Sequence, residues 1–259
     1  EGHVTRAILD KIVAGQRSST IRVCWSDSML RAIVLPVFNE ASTLASVLDA
    51  VRREFDGLIL VVDDGSTDRT PSILSDRRDV RVLRHDRNLG YGQSLIDGFA
   101  EVLALGVERV LTMDCDGQHE PRHINQFFDA LDTNDLISGS RYLPESRAIG
   151  AAPQERRAVN ARVTSTINAA TGWALTDAFC GFKAYRTPVL ADLGLREAGY
   201  AMPLELWARL FRRGVRPSEL PVERIYLSHH RSFGGELDDA EKRLAYYLRV
   251  WTAALLDRR

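Results

Sequence analysis

The chain has 259 residues, 45% hydrophobic and 27% charged, with a formal net charge of −1. That balance excludes a generally basic, nucleic-acid-binding surface, and three widely spaced cysteines, Cys24, Cys115 and Cys180, exclude a disulfide framework or a zinc site built on C-x-x-C pairs. No apolar run reaches the roughly 18 residues needed to cross a bilayer, and no secretory apolar segment opens the chain, so a cytoplasmic protein that at most visits a membrane is expected.

Residues 1–29 read as a leader, with a helical spacing at Val4, Ile8, Ile12 and Val13 and then a short extended segment. The main domain is expected over residues 30–259. AIVLPVF from Ala32 reads as a buried strand, and ASTLASVLDAVRREF as an amphipathic helix ending before Gly57. Leu58 to Val62 is the next strand, running into Asp63 and Asp64 and a turn through Gly65, Ser66, Thr67 and Asp68 that leads into a helix. Val80 to Leu83 is a third strand, followed by a turn at Asn88 and Gly90 and a helix to Gly106; Val107 to Met113 is the fourth.

The segment Leu111 to Pro121, LTMDCDGQHEP, is the chemical centre of the pattern. In an extended segment Asp114, Asp116 and Gln118 project from one side and Cys115 from the other. Adjacent carboxylates repel unless a cation lies between them, and oxygen-only ligands suit Mg²⁺ or Mn²⁺. Strands alternating with helices predict a mostly parallel sheet with helices on its faces, and in such sheets ligands bind beyond the carboxyl ends of the strands. Asn39, Glu40, Asp63, Asp64, Asp114 and Asp116 all fall there. Helix capping accounts for Ser66 or Asp68 but not for the whole acidic set.

Further along, RHINQFFDALD reads as a helix and DLISGSRY as a strand delivering Arg141 to the same rim. A polar loop spans Leu143 to Gln154. The helix after it carries Arg156, Arg157 and Arg162 in its first half, against the dipole preference, which hints at an anion. Asp177 precedes a strand at FKAYR and is a candidate general base for a hydroxyl acceptor, with Glu205, on the helix MPLELWARLFRRG, as the second choice. ELPVERIYL reads as short strands, and HHRSFGGELDD as a loop around Arg231. The final helix places Leu244, Tyr247, Leu248, Trp251 and Leu255 on one face, expected to pack on its own domain, with contact at an anionic lipid surface or pairing with a second copy as alternatives.

Taken in order, LPVFNE, VVDDGSTD, NLGYGQSLIDGF, MDCDGQHEP, GSRY, DAFCGFKAYR and HHRSFGG resemble the inverting glycosyltransferases of family 2, and among them the polyprenyl-phosphate glycosyltransferases related to dolichyl-phosphate mannose synthase. The likeness covers about residues 30 to 237. It implies an α/β fold of the GT-A type, Rossmann-like, and a nucleotide-sugar donor such as GDP-mannose or a UDP-hexose. It also implies a divalent metal on Asp114, Asp116 and Gln118, and a polyprenyl or dolichyl phosphate acceptor, with a sugar or lipid hydroxyl as the alternative. By the same resemblance Pro36, Glu40, Asp63 and Asp64 hold the nucleotide, Arg141 and Arg157 receive the acceptor phosphate, and Arg231 approaches the donor pyrophosphate. One departure stands out: Gly234, Gly235, Glu236 and Leu237 occupy the place of the family's Ser-Lys pair, leaving His230 or Lys242 as substitute cations. A nucleotidyltransferase is excluded because LPVFNE has no glycine-rich basic phosphate loop; a non-catalytic subunit that binds nucleotide sugar is the other alternative, with a membrane-protein partner as a further expectation.

Overall fold

The computed structural model describes residues 30–226 and 234–257; the leader over 1–29, and Arg231 with His229 and His230, lie outside the described residues. The strands are β1 (Arg31–Val37), β2 (Leu58–Asp63), β3 (Arg81–Arg84), β4 (Arg109–Thr112), β5 (Leu136–Ser140), β6 (Ala148–Ile149), β7 (Lys183–Arg186), β8 (Ser218–Pro221) and β9 (Arg224–Ile225). The helices are α1 (Leu44–Glu54), α2 (Thr70–Ser75), α3 (Tyr91–Ala104), α4 (Ile124–Ala130), α5 (Gln154–Thr171), α6 (Met202–Arg212) and α7 (Ala240–Leu256).

Among the described residues the main sheet has seven strands in the order β3-β2-β1-β4-β7-β5-β8, and β6 pairs with β9 in a small separate ribbon. All neighbours are parallel except β7, which runs antiparallel between β4 and β5. The sequence expectation of a mostly parallel α/β sheet is met, with this one reversal added. β1, β2, β4 and β5 therefore end at one rim.

Both faces of the sheet are covered, which is why its central strands read as continuous apolar runs. Ala32, Val34, Leu60 and Val62 pack on one side with Leu95, Phe99, Val163, Trp207 and Trp251. Ile33, Leu35, Ile59 and Val61 pack on the other with Leu44, Leu48, Leu74, Phe127 and Phe128. Burying each such Val, Leu, Ile or Phe side chain contributes about 1.5–3 kcal/mol. Helix α3 approaches the sheet closely because position 98 is glycine: a Cβ there would lie 2.6 Å from Val34 Cγ1.

Several elements differ from the sequence pattern. The helix expected over 122–132 is shortened to α4, with a 3-10 turn at Pro121–His123 before it. Part of the polar loop from Leu143 to Gln154 is recruited as β6, whose Ile149 pairs with Ile225. The terminal helix packs on its own domain, burying Tyr247, Trp251 and Ala254 together with Arg243. Among the described residues no helix is long and apolar enough to cross a membrane.

Candidate active site

A cavity of about 540 Å³ opens at the rim where β1, β2, β4 and β5 end. Carboxylates from three strand ends, Glu40, Asp64, Asp114 and Asp116, line it together with Arg141, Arg156 and Arg243.

The acidic wall is held in place by backbone turns. Asn39 adopts φ 56°, a left-handed conformation that asparagine tolerates. Its Oδ1 accepts the backbone N–H groups of Thr67 (2.8 Å) and Asp68 (3.2 Å), and its own N–H donates to Ser66 Oγ (2.9 Å). The loop after β1 is thus docked on the loop after β2. Thr43 Oγ lies within hydrogen-bond distance of Glu40 Oε2 (3.0 Å) and of the Cys115 carbonyl (2.7 Å), tying Glu40 to the segment that carries Asp114 and Asp116.

Asp63 and Asp64 diverge. Asp63 is fully buried and absent from the cavity wall; its Oδ1 accepts the Ser66 N–H at 3.0 Å and Arg84 Nη1 lies 3.6 Å from Oδ2. The expectation that it holds a nucleotide is corrected: it braces the turn. Asp64 does face the cavity, while its Oδ1 accepts from Leu89 N–H (2.7 Å) and His85 Nδ1 (2.7 Å) and its Oδ2 from Gly90 N–H (2.9 Å).

Beyond β4 the chain does not continue extended, as the alternation of Asp114, Asp116 and Gln118 suggested. It bends at Gly117 (φ 76°), and Gln118 N–H donates to Asp116 Oδ1 at 2.9 Å, closing an Asx turn. All three side chains still line the cavity. Asp114 is fixed on several sides: its N–H donates to His119 Nδ1 (3.0 Å), and Tyr91 donates its hydroxyl to Oδ1 (3.2 Å). A backbone N–H can only donate, so the His119 nitrogen facing it carries no proton. Behind the carboxylate stands Gly181, where a Cβ would lie 2.5 Å from Asp114 Oδ2.

Burial, reinforced by the charge of Asp116, pushes the Asp114 carboxyl above its ordinary value, and the hydrogen bond from Tyr91 offsets this only in part. A cation beside two such carboxylates relieves that penalty, so the residues fit a hard divalent ion. The candidate set is two carboxylates and one amide; among the described residues no group of three His, Cys, Asp or Glu side chains is arranged for a metal.

Behind Arg141, Asp177 is fully buried. Arg141 donates Nε to its Oδ2 (2.6 Å) and Nη2 to its Oδ1 (2.9 Å), and Oδ1 also accepts from Asn160 Nδ2 (2.8 Å) and Phe179 N–H (3.1 Å). Burial alone would raise this carboxyl, but Arg141 and Asn160 outweigh it and hold the group below its ordinary value. The arrangement does not fit a general base: the carboxylate is off the cavity wall and its oxygens serve Arg141. Glu205, the second candidate, accepts the N–H groups of Arg196 and Glu197 (both 2.7 Å), pairs with Arg209 at 3.2 Å, and is likewise absent from the wall.

Arg157 is exposed, and its neighbour Arg156 faces the cavity instead. One residue along a helix is a rotation of about 100°, so the sequence located the basic turn but not the inward side chain. Lys242 is also directed away, pairing with Glu236 at 2.9 Å on the surface. Residues that the sequence reading passed over include Tyr91, His119, Asn160, Gly181 and Arg243. The polar and aromatic ones look like ordinary helix or loop residues, and only the tertiary contacts single them out.

The family described as Glycosyl transferase family 2 matches residues 32–194. The chain is 29% identical over 219 residues to polyprenol monophosphomannose synthase of Mycolicibacterium smegmatis, covering 81% of each chain. To dolichyl-phosphate hexose transferase of Haloferax volcanii it is 33% identical over 196 residues, covering 74% of this chain and 81% of the relative. Among solved structures, glucosyl-3-phosphoglycerate synthase of Mycobacterium tuberculosis in complex with Mn²⁺, UDP and glucosyl-3-phosphoglycerate aligns with a TM-score of 0.64 at 20% identity, over 92% of this chain and 86% of that one. A rim of strand-end carboxylates on a sheet with one reversed strand, a match over most of the chain and this shared architecture lead to one conclusion: the chain belongs to glycosyl transferase family 2 and is a glycosyltransferase of GT-A fold.

Proposed function

We propose that the protein transfers a hexosyl group from a nucleoside diphosphate sugar to the phosphate of a polyprenyl phosphate, with inversion at the anomeric carbon. The observation that carries this reading is one cavity lined by both strand-end carboxylates and arginines, with the buried Asp177 committed to Arg141 rather than offered to an acceptor. A phosphate monoester is already anionic at neutral pH and needs orientation, not deprotonation. Relatives named for polyprenol, undecaprenyl and dolichyl phosphate support the acceptor class.

In this reading Pro36, Glu40 and Asp64 bind the nucleotide, and Asp114, Asp116 and Gln118 hold Mg²⁺ or Mn²⁺. The metal would supply positive charge to the departing diphosphate. Arg231, outside the described residues, is assigned to the same diphosphate. Arg141 and Arg156 orient an acceptor oxygen toward the sugar; the new bond forms from that oxygen to the anomeric carbon as the bond to the β-phosphate oxygen breaks, releasing the nucleoside diphosphate. Asp177 is a positioning residue that fixes the plane of the Arg141 guanidinium. The lipid is reached at the membrane surface, at its cytoplasmic face.

The test is transfer by the purified protein from GDP-mannose or a UDP-hexose, with Mn²⁺, to undecaprenyl phosphate and to undecaprenol. A glycosyl phospholipid from the phosphate alone is expected; transfer to the alcohol alone would overturn the reading.

A further inference from the structure

His85 directly follows β3 and is 8% exposed. Its backbone N–H donates to the Asp63 carbonyl at 2.9 Å, so the residue is anchored at the end of β2. The ring stands between two carboxylates: Nδ1 lies 2.7 Å from Asp64 Oδ1, and Nε2 lies 3.1 Å from Asp97 Oδ2 on α3. Asp97 is itself held by Gln93, whose Nε2 donates to both of its oxygens at 3.0 Å. An ionised carboxylate only accepts, so it is the Nδ1–H that donates to Asp64.

Such a carboxylate offers about four lone-pair positions, two on each oxygen. On Asp64, Oδ1 takes Leu89 N–H and His85 Nδ1–H, and Oδ2 takes Gly90 N–H. A single position is left, on Oδ2, in a residue that borders the cavity. The diphosphate of a nucleotide sugar repels a carboxylate, so Asp64 meets a donor group of the nucleoside. Guanine presents two adjacent donors to a carboxylate, N1–H and N2–H, and needs both oxygens free. Uracil presents one, N3–H, flanked by carbonyl oxygens. Asn88, beside the Leu89 that clasps Asp64, also borders the cavity and carries an amide able to donate to such a carbonyl.

We propose that His85 is a positioning residue that sets base specificity: by filling Asp64 Oδ1 it leaves a single acceptor, and the donor carries uracil, not guanine. This deepens the proposed function and rests on Asp64 binding the nucleotide. With guanine bound, one N–H would be buried without an acceptor, which lowers affinity by about tenfold or more.

The experiment is calorimetric titration of the full chain, with Mn²⁺, by UDP, GDP and the diphosphate of 3-methyluridine. The unsubstituted protein should bind UDP about tenfold or more tighter than GDP and lose a similar factor on methylation of N3. H85N, whose amide nitrogen takes the place of Nδ1, should keep the preference for UDP. H85L and H85F, which have no donor, free a position on Oδ1 and should narrow it. If the unsubstituted protein binds no nucleotide, the donor reading fails and the inference with it. If it binds GDP as tightly as UDP, or tighter, the inference alone fails. Undiminished binding of the methylated nucleotide would place Asp64 away from the base edge and overturn it. Equal weakening of UDP and GDP by H85L and H85F, with their ratio unchanged, would mark a merely structural role for His85 and overturn it as well.

Discussion

Arg141 meets Asp177 through two side-chain hydrogen bonds, at 2.6 Å from Nε to Oδ2 and 2.9 Å from Nη2 to Oδ1, so the guanidinium plane is set by a carboxylate that solvent does not reach. Bidentate pairing of this kind fixes orientation as well as charge. Asp177→Asn keeps the shape but removes the charge that compensates Arg141. It should lower stability by about 3–5 kcal/mol and raise the acceptor KM, with nucleotide binding retained wherever the variant folds. Denaturation and steady-state kinetics with varied acceptor check both.

The same pair sets an acid limit. The Asp177 carboxyl lies below its ordinary value in the folded chain, so the unfolded state binds a proton more readily. Its contribution is fully present above the unfolded value, about 3.9, and is lost as pH falls below it through the folded value. Melting temperature followed from pH 6 to pH 3 should fall in the unsubstituted protein and fall less steeply in Asp177→Asn.

Gly181→Ala places a methyl group where Asp114 Oδ2 now lies, 2.5 Å from the new carbon. The carboxylate must move, while the sheet behind it need not. Nucleotide binding with Mn²⁺ should weaken by at least about tenfold, equivalent to one charge-assisted contact, with an unchanged circular dichroism spectrum. Unaltered binding would detach Asp114 from the donor site.

Removing the metal by chelation, or replacing Asp116 with Ala, should abolish Mn²⁺-dependent nucleotide binding. Asp116→Ala is expected to leave the melting temperature close to that of the metal-free parent, because the side chain lies at a turn on the cavity wall and not in the core. Calorimetry with GDP and UDP, with and without Mn²⁺, decides it.

Arg156→Gln and Arg157→Gln form a matched pair on adjacent positions of one helix. The first should raise the acceptor KM by about tenfold; the second should change it by less than about twofold, as a solvated surface charge does. Similar effects from both would contradict the inward assignment of Arg156.

The alternation of strands and helices along the chain and the acidic rim were legible because they rest on short-range periodicity: AIVLPVF and LILVV announce buried strands, and the acids follow them directly. Antiparallel β7 was not legible, since KAYR looks the same in either direction. Asp177 shows the limit most clearly. An aspartate before a strand reads equally as a cap, a base or half of a buried ion pair, and only the return of Arg141 and Asn160 across the fold decides. Arg156 and Arg157 differ by a rotation that the weakly amphipathic pattern of α5 does not specify. Arg243 was not singled out, since nothing in the sequence separates it from the other charged residues that flank the apolar face of α7.

The reversal at β7 has a wider consequence. The parallel strands end at the rim, but β7 begins there, so the stretch from Asp177 to Gly181 passes between the loops that follow β4 and β5. At one end it clasps Arg141; at the other its glycine abuts Asp114. Under the proposed function this strip of backbone is a gauge block: it spaces Arg141, assigned to the acceptor, from Asp114, assigned to the donor. Substitutions anywhere along it will be felt by both substrates at once, and variants selected for a bulkier donor should alter acceptor preference without touching an acceptor residue.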